Sequence, residues 1–221
     1  MSVNIAIDGP AGAGKSSIAK LLAERMNYIY VDTGAMYRTL ALYFLEHGID
    51  GDDEQTVVAS LPEIEVALEY VDGVQQIFLN GDNVTGRIRT PEVTDMASRT
   101  SAYAKVREKM VELQRQIAKK NNVVMDGRDI GTVVLPDAGV KVFLTASTDV
   151  RARRRYLQML ESNPEADLEE IRKDMEERDY RDSHRENSPL RQAEDAVFLD
   201  TSDMTKEEVI AAIRKLTEEK A

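Results

Sequence analysis

The chain has 221 residues, 42% apolar and 31% charged, which describes one large folded domain, or a core with a small appendage, and excludes wholesale disorder. It has no cysteine and only two histidines, His47 and His184; this excludes disulfide frameworks, zinc ribbons, iron–sulfur clusters, thiol nucleophiles and three-imidazole metal sites, and leaves Ser-His-Asp hydrolysis a single histidine from two. With 29 Lys and Arg against 40 Asp and Glu the formal charge is −11, so the molecule as a whole repels nucleic acid and acidic membranes, and a small anionic ligand needs a locally basic pocket.

The opening residues, Met1 to Asp8, contain neither a signal-type apolar run nor a membrane-spanning length, and a cytoplasmic address is expected. Val3 to Ile7 predicts a first strand, ended by the turn residues Asp8-Gly9-Pro10. Ile18, Leu21, Leu22 and Met26 recur at helical spacing from Lys15 onward, and Asn27 can terminate that helix. Tyr28 to Val31 predicts a second strand. A helix carrying Met36, Leu40, Tyr43 and Phe44 inward follows Asp32-Thr33-Gly34, with Gly48 as its C-terminal stop. Asp52 with Gln55 suggests a capping box for a short helix.

The pattern then changes period. Glu63 to Tyr70 alternates, Asp72-Gly73 predicts a hairpin turn, and Gln76 to Leu79 runs to a second turn at Asn80-Gly81-Asp82, which together describe an antiparallel insertion. Thr90-Pro91 opens a helix whose apolar stripe extends from Val93 through Ile117. Val123 to Asp126 and Val140 to Leu144 predict two more strands. An Arg-rich helical stretch, a charged segment from Asn163 to Asp182, a last strand at Ala196 to Asp200 and a helix opened by the capping pair Thr205 and Glu208 complete the chain. Five short apolar strands separated mostly by helices predict an α/β fold with a parallel sheet covered on both faces.

Gly9, Pro10, Ala11, Gly12, Ala13, Gly14, Lys15 and Ser16 fit G-x-x-x-x-G-K-[ST] directly after a predicted strand and before a predicted helix. Such a loop wraps a phosphate with its amides and the helix N-terminus, its lysine bridges the outer phosphates, and its serine ligates magnesium. Asp126, at a strand end, either holds magnesium through water or is a turn carboxylate. The N-K-x-D guanine-reading motif of GTP switches is missing. Arg178, Arg181, Asp182 and Arg185 fall within an arc of roughly 100° on one helix face, a pocket-facing group or a solvated face of i to i+4 pairs. Ser98 and Arg107 would lie on opposite sides of one straight helix, so both reach a common ligand only if the helix breaks between them.

Five segments stand out in order: Asp8 to Ser17, Asp32-Thr33-Gly34-Ala35-Met36-Tyr37-Arg38, Gly86 to Val93, Asp126-Gly127-Arg128-Asp129-Ile130-Gly131-Thr132-Val133-Val134, and Glu177-Arg178-Asp179-Tyr180-Arg181-Asp182. Together they resemble one family, the bacterial-type cytidylate kinases among the nucleoside monophosphate kinases. The resemblance covers nearly the whole chain. It implies a P-loop NTPase fold and ATP-dependent, Mg²⁺-assisted phosphorylation of CMP and dCMP by a cytoplasmic monomer. The core would comprise 1–61, 87–152 and 183–221, with the insertion at 62–86 and a lid at 153–182. The ATP phosphates would lie on Gly9 to Ser17, including Ser17, with Ser16 and Asp126 on the metal. Arg38, Arg128 and Arg185 would hold the CMP phosphate, Thr33, Ser98, Arg107 and Asp129 the base, and Tyr37, Arg178 and Asp182 the sugar and phosphate. Thr33 stands where relatives often have Ser. Lys15, Arg128, Arg178 and Arg154 would be catalytic. Among Arg151, Arg153, Arg154 and Arg155, one or two would touch ATP. The rival readings are a kinase for another small acceptor, such as UMP, AMP or a hydroxylated metabolite, and a nucleotide-dependent switch without turnover.

Overall fold

The computed structural model of the protein describes residues 4–71, 74–161 and 163–219; Val3 and the expected Asp72-Gly73 turn lie outside them. The first half runs β1 (Ile5–Asp8), α1 (Lys15–Met26), β2 (Ile29–Asp32), α2 (Thr33–Glu46), α3 (Glu54–Ser60), β3 (Val66–Val71), β4 (Val74–Leu79) and β5 (Asp82–Asn83). The second runs α4 (Pro91–Thr100), α5 (Ala104–Lys120), β6 (Val123–Gly127), β7 (Val140–Thr145), α6 (Thr148–Leu160), α7 (Leu168–His184), β8 (Val197–Asp200) and α8 (Lys206–Glu219).

The main sheet has five strands in the order β2-β6-β1-β7-β8, and all its pairings are parallel. Alternation along the strands feeds two cores. Ala6, Val31, Val123 and Met125 face Met36, Leu40 and Phe44 of α2 and Val106 and Met110 of α5. Ile5, Ile7, Val124 and Val142 face Ile18 and Leu22 of α1 and Val209, Ile210 and Ile213 of α8. Complete burial of each of these aliphatic side chains contributes about 1.5–3 kcal/mol. The parallel register aligns Asp32 with Asp126, and Asp8 with Gly127, at the carboxyl ends of neighbouring strands, where open α/β sheets bind ligands.

Local signals set the helix ends. Asn27 adopts a left-handed conformation, φ 54°, and its N–H reaches back to Ala23 and Glu24. Gly48 takes φ 65° just past α2. The short helix α3 is capped by Asp53, whose side chain accepts from the Thr56 amide and hydroxyl at 3.1 and 2.6 Å; this moves the expected Asp52 cap by one residue, because the Asp52 carboxylate pairs instead with Arg99 at 3.0 Å. Thr205 and Glu208 form the expected reciprocal cap, each side chain bonding the other's backbone N–H at 2.8 and 3.3 Å. The stripe read from Thr90 onward is two helices, α4 and α5, separated at Ser101 to Tyr103.

The three-stranded antiparallel sheet has the order β3-β4-β5. Asn80 and Gly81 both take positive φ, 49° and 89°, the conformation a two-residue turn needs to match strand twist. Tyr70 and Gln75, an in-register pair, satisfy the open edge of β2: Tyr70 OH donates to the Tyr30 carbonyl at 3.0 Å, and Gln75 Oε1 accepts from Asp32 N at 3.0 Å. Unpaired edge groups attract other strands, and here two side chains occupy them. A separate small cluster joins α6 and α7 through Ala152, Ile171 and Met175.

Candidate active site

The phosphate loop connects β1 to α1 and is shaped by close backbone approach. Gly9 has φ +147°, and a Cβ there would stand 1.9 Å from the Leu144 carbonyl oxygen. Gly14 precedes α1 at φ 90° with no side chain capping the helix, so the amide donors and positive end of α1 are left to an anion. Lys15 is buried, and its Nζ donates to the Pro10 carbonyl at 2.7 Å. Burial, reinforced by the Arg128 charge, holds its ammonium well below the ordinary lysine range.

Ser16 Oγ donates to Asp126 Oδ2 at 2.8 Å, and Tyr30 OH donates to Oδ1 at 3.0 Å. Burial, with the neighbouring charge of Asp32, pushes the Asp126 carboxyl up to about 6. One hydroxyl and one carboxylate beside the loop suit Mg²⁺, a hard cation that keeps several waters and takes its remaining oxygens from phosphate. Among the described residues there is no group of three or more His, Cys, Asp or Glu side chains arranged to hold a metal.

A second charged group gathers residues from β2, α2, the segment before α4, the segment after β6, and α7. Asp32 caps α2 through the Ala35 amide at 2.8 Å and pairs with Arg38 and Arg89 at 3.1 and 3.0 Å. Arg128, after β6, pairs with Asp182 of α7 at 2.8 Å. Burial alone would raise the Asp182 carboxyl; the charge and hydrogen bond of Arg128, with Arg178 and Arg185, outweigh it and hold it below the ordinary range. Arg178 lies in the same electrostatic group, and its Nε is buried without a hydrogen-bond acceptor. Burial and the repulsion of Arg128, with Arg38 and Arg181 adding, pull its pKa down to about 10. Arg38 and Arg128 repel Arg178 electrostatically, an accumulation of positive charge that suits a multiply charged anion.

Deeper in, Arg107 and Asp129 form a buried ion pair, and Arg107 also donates to the Ser101 carbonyl at 3.2 Å. The Arg107 guanidinium carbon lies 5.5 Å from the Tyr37 ring centroid, a cation–π distance. The gap between α4 and α5 permits Arg107 and Ser98 to belong to one site, and Ser98 Oγ is buried with no partner. Arg185 donates to the Ser188 carbonyl at 2.8 Å and keeps Nη2 buried and free. Burial, and then the Arg107 charge, lower its pKa.

Three of the singled-out side chains are engaged within the protein. Thr33 Oγ1 donates to the Asp126 carbonyl at 2.7 Å, which turns the hydroxyl toward β6. Arg154 donates to the Thr201 hydroxyl and carbonyl at 3.2 and 2.7 Å, since its position on α6 faces the end of β8. Arg181 turns to Asp95 of α4, 3.4 Å away, while its charge still bears on Arg178. Asp8, read from the sequence only as a turn residue and part of the loop motif, accepts from the Ile130 and Gly131 amides at 2.7 Å each and so fixes the π-helical turn, Ile130–Val134, that follows Arg128 and Asp129. A buried strand-end carboxylate before a glycine loop was the available signal. Burial, the largest influence, raises the Asp8 carboxyl to about 6 despite those two bonds.

A solved shikimate kinase from Bacteroides thetaiotaomicron aligns over 98% of each chain with TM-score 0.50 at 14% identity. One from Acinetobacter baumannii, in complex with shikimate, aligns over 99% of this chain and 94% of its own, TM-score 0.50 and 15% identity. These likenesses establish the P-loop kinase fold. The cytidylate kinase of Lactobacillus johnsonii is 49% identical over 218 residues, 99% of this chain and 95% of its own. That of Leuconostoc mesenteroides is 50% identical over 214 residues, 97% of this chain and 96% of its own. A family profile described as cytidylate kinase matches residues 5–219. With a phosphate loop at one end of α1, an arginine cradle opposite it and this similarity along almost its full length, the chain belongs to the cytidylate kinase family.

Proposed function

We propose that the protein transfers the γ-phosphoryl group of ATP to CMP and dCMP, giving ADP with CDP or dCDP. The observation that carries this reading is Arg178, a half-buried guanidinium repelled by Arg128, Arg38 and Arg181, whose Nε is buried and lacks an acceptor. An arrangement so unfavourable in isolation suits a phosphate dianion placed opposite the loop.

In the reaction, a non-bridging oxygen of the CMP phosphate attacks the γ-phosphorus. The bond from that phosphorus to the β–γ bridging oxygen breaks, and its electron pair leaves with ADP. The acceptor is already ionised, so no general base is needed and catalysis lies in alignment and charge neutralisation. Lys15 and the loop amides hold the donor phosphates, Arg38, Arg128 and Arg185 hold the acceptor phosphate, and Arg178 lies near the sugar and phosphate and neutralises the transferring group. Asp182 keeps Arg128 oriented. Ser16 and, through water, Asp126 would hold magnesium, which when bound spreads the charge of the outer phosphates.

Cytosine would be read by the Arg107–Asp129 pair. Its 4-amino group needs an acceptor, whereas uracil offers an acceptor there; Asp129 supplies the acceptor and Arg107 donates to the ring's acceptor edge. Their mutual ion pair orients both before the base arrives. Ser98 adds a free hydroxyl, Tyr37 backs Arg107, and Thr33 contributes by exchanging its bond to the Asp126 carbonyl. Residues 62–86 extend the acceptor site, 153–182 act as the lid, and the enzyme works as a cytoplasmic monomer.

A coupled ADP-release assay across CMP, dCMP, UMP, AMP and hydroxylated metabolites tests this directly. CMP and dCMP should give the highest kcat/KM, and Lys15→Ala should lose nearly all turnover while remaining folded. UMP, AMP or a hydroxylated metabolite matching or exceeding CMP refutes the substrate assignment, and nucleotide binding without turnover refutes the kinase reading.

A further inference from the structure

Helix α7 carries Arg178 and Asp182, ends at the C-cap residue Arg185, and also meets the phosphate loop. Asp179 Oδ1 accepts from Ala11 N at 3.4 Å, and Oδ2 lies 2.6 Å from Arg151 Nη1. The same Arg151 nitrogen donates to the Ala11 carbonyl at 2.9 Å. The Asp179–Arg151 pair therefore grips both sides of one loop residue, its N–H and its carbonyl.

Arg151 has little freedom to do anything else. Its Nε donates to the Ala146 carbonyl at 2.9 Å, its Nη2 donates to Thr148 Oγ1 at 3.0 Å, and the residue is 4% exposed. One turn earlier on α7, Met175 covers the next loop residue: a Cβ on Gly12 would stand 2.5 Å from Met175 Cε and 3.2 Å from Arg151 Cβ. Residues four apart share a helix face, so Met175 and Asp179 form one contact strip against the loop. Exposed ion pairs hold little, but this one has a buried guanidinium fixed by three other acceptors and a packed neighbour.

We infer that Asp179 and Arg151 are a positioning pair that ties the phosphate loop to α7, so that filling the loop with ATP sets the acceptor-side arginines on the same helix. The inference rests on the proposed phosphoryl transfer from ATP to CMP. Arg178 is adjacent to Asp179 in the chain and Asp182 is nearly one helical turn beyond it. Because α7 moves as one hydrogen-bonded element, a shift of Ala11 toward bound phosphate reaches Arg178, Asp182 and, through Asp182, Arg128. The pair thus couples the two substrate sites without itself touching either substrate.

The test compares wild type with Asp179→Ala and the milder Asp179→Asn, using calorimetry for CMP with and without a non-hydrolysable ATP analogue and Mg²⁺, alongside kcat. In the wild type the analogue should tighten CMP binding by about fivefold or more. In Asp179→Ala that factor should fall to about 1 and kcat should drop by about tenfold or more, while CMP affinity without the analogue stays within about threefold. Asp179→Asn should lie between them, and it decides the matter if the alanine variant does not fold. A variant with wild-type coupling and kcat overturns the inference, as does a wild type with no coupling; a pair that merely stapled the fold would lower the melting temperature and leave the coupling factor alone. Failure to turn over CMP refutes the proposed reaction, and the tie is then read by amide exchange. ATP analogue alone should slow exchange across residues 178–185 in wild type but not in Asp179→Ala, and equal slowing in both overturns it.

Discussion

Arg178→Met separates what the arginine cradle does for the reaction from what it does to the fold. Methionine keeps an unbranched stem against the same neighbours and removes the charge. A guanidinium pulled from 12.5 to about 10 carries about 3 kcal/mol of unfavourable free energy at neutral pH, and the side chain's partial exposure reduces that to about 1–3 kcal/mol. The sign is set by the direction of the shift: a base with a depressed folded-state pKa weakens the fold wherever it is charged, which is everywhere below about 10. For a chain of this size each 1 kcal/mol moves the melting temperature by about 2–4 °C, so the ligand-free variant should melt about 2–12 °C higher than wild type. Its kcat/KM for CMP should fall by about 10²- to 10³-fold, the loss seen when one charge-stabilising donor is removed from a transition state. Thermal unfolding with and without CMP completes the assay: CMP should raise the wild-type transition more than the variant's. A variant that melts lower than wild type and keeps its turnover would refute the reasoning, because Arg178 would then be a structural residue.

Asp129→Asn should reduce the preference for CMP over UMP by about 10- to 200-fold in kcat/KM, and an unchanged ratio would show that Asp129 only orients Arg107. Asp129→Ala should also destabilise the protein by about 3–5 kcal/mol in chemical denaturation, because it leaves Arg107 buried and unpaired. Asp126 has a folded pKa of about 6 against an ordinary 3.8, so its stabilising contribution is complete below 3.8 and lost as pH rises through 6; ligand-free Asp126→Asn should therefore be more stable than wild type at pH 8, by up to about 3 kcal/mol, with the gain vanishing near pH 4. Melting curves across that range would count against this assignment if the difference did not change with pH. Gly9→Ala should destabilise strongly, by about 3 kcal/mol or more, since its methyl would meet the Leu144 carbonyl at 1.9 Å in a positive-φ conformation; near-wild-type denaturation would show that the loop can move away from β7.

Local chemistry determined the parts of this protein that the sequence alone could supply. Short apolar runs marked the five strands of the main sheet, alternation marked the antiparallel insertion, Asn27, Gly48, Thr90 and Thr205 marked helix ends, and Gly9 to Ser16 marked the phosphate loop, because each signal is written within a few residues of where it acts. Even there, the choice of Asp53 over Asp52 as a cap was decided by which carboxylate the folded turn aims at Thr56. The site was different. Arg107 and Asp129 are 22 positions apart, Arg128 and Asp182 54, and Ala11 and Asp179 168. No periodicity connects such residues; only the parallel sheet order and the packing of α7 across the loop bring them together. Tertiary structure likewise assigned similar arginines to different work: Arg151 to the Ala11 loop, Arg154 to Thr201, Arg181 to Asp95 and Arg178 to an electropositive pocket. A guanidinium's role depends on which acceptors lie within its reach, and those acceptors come from segments distant in the chain.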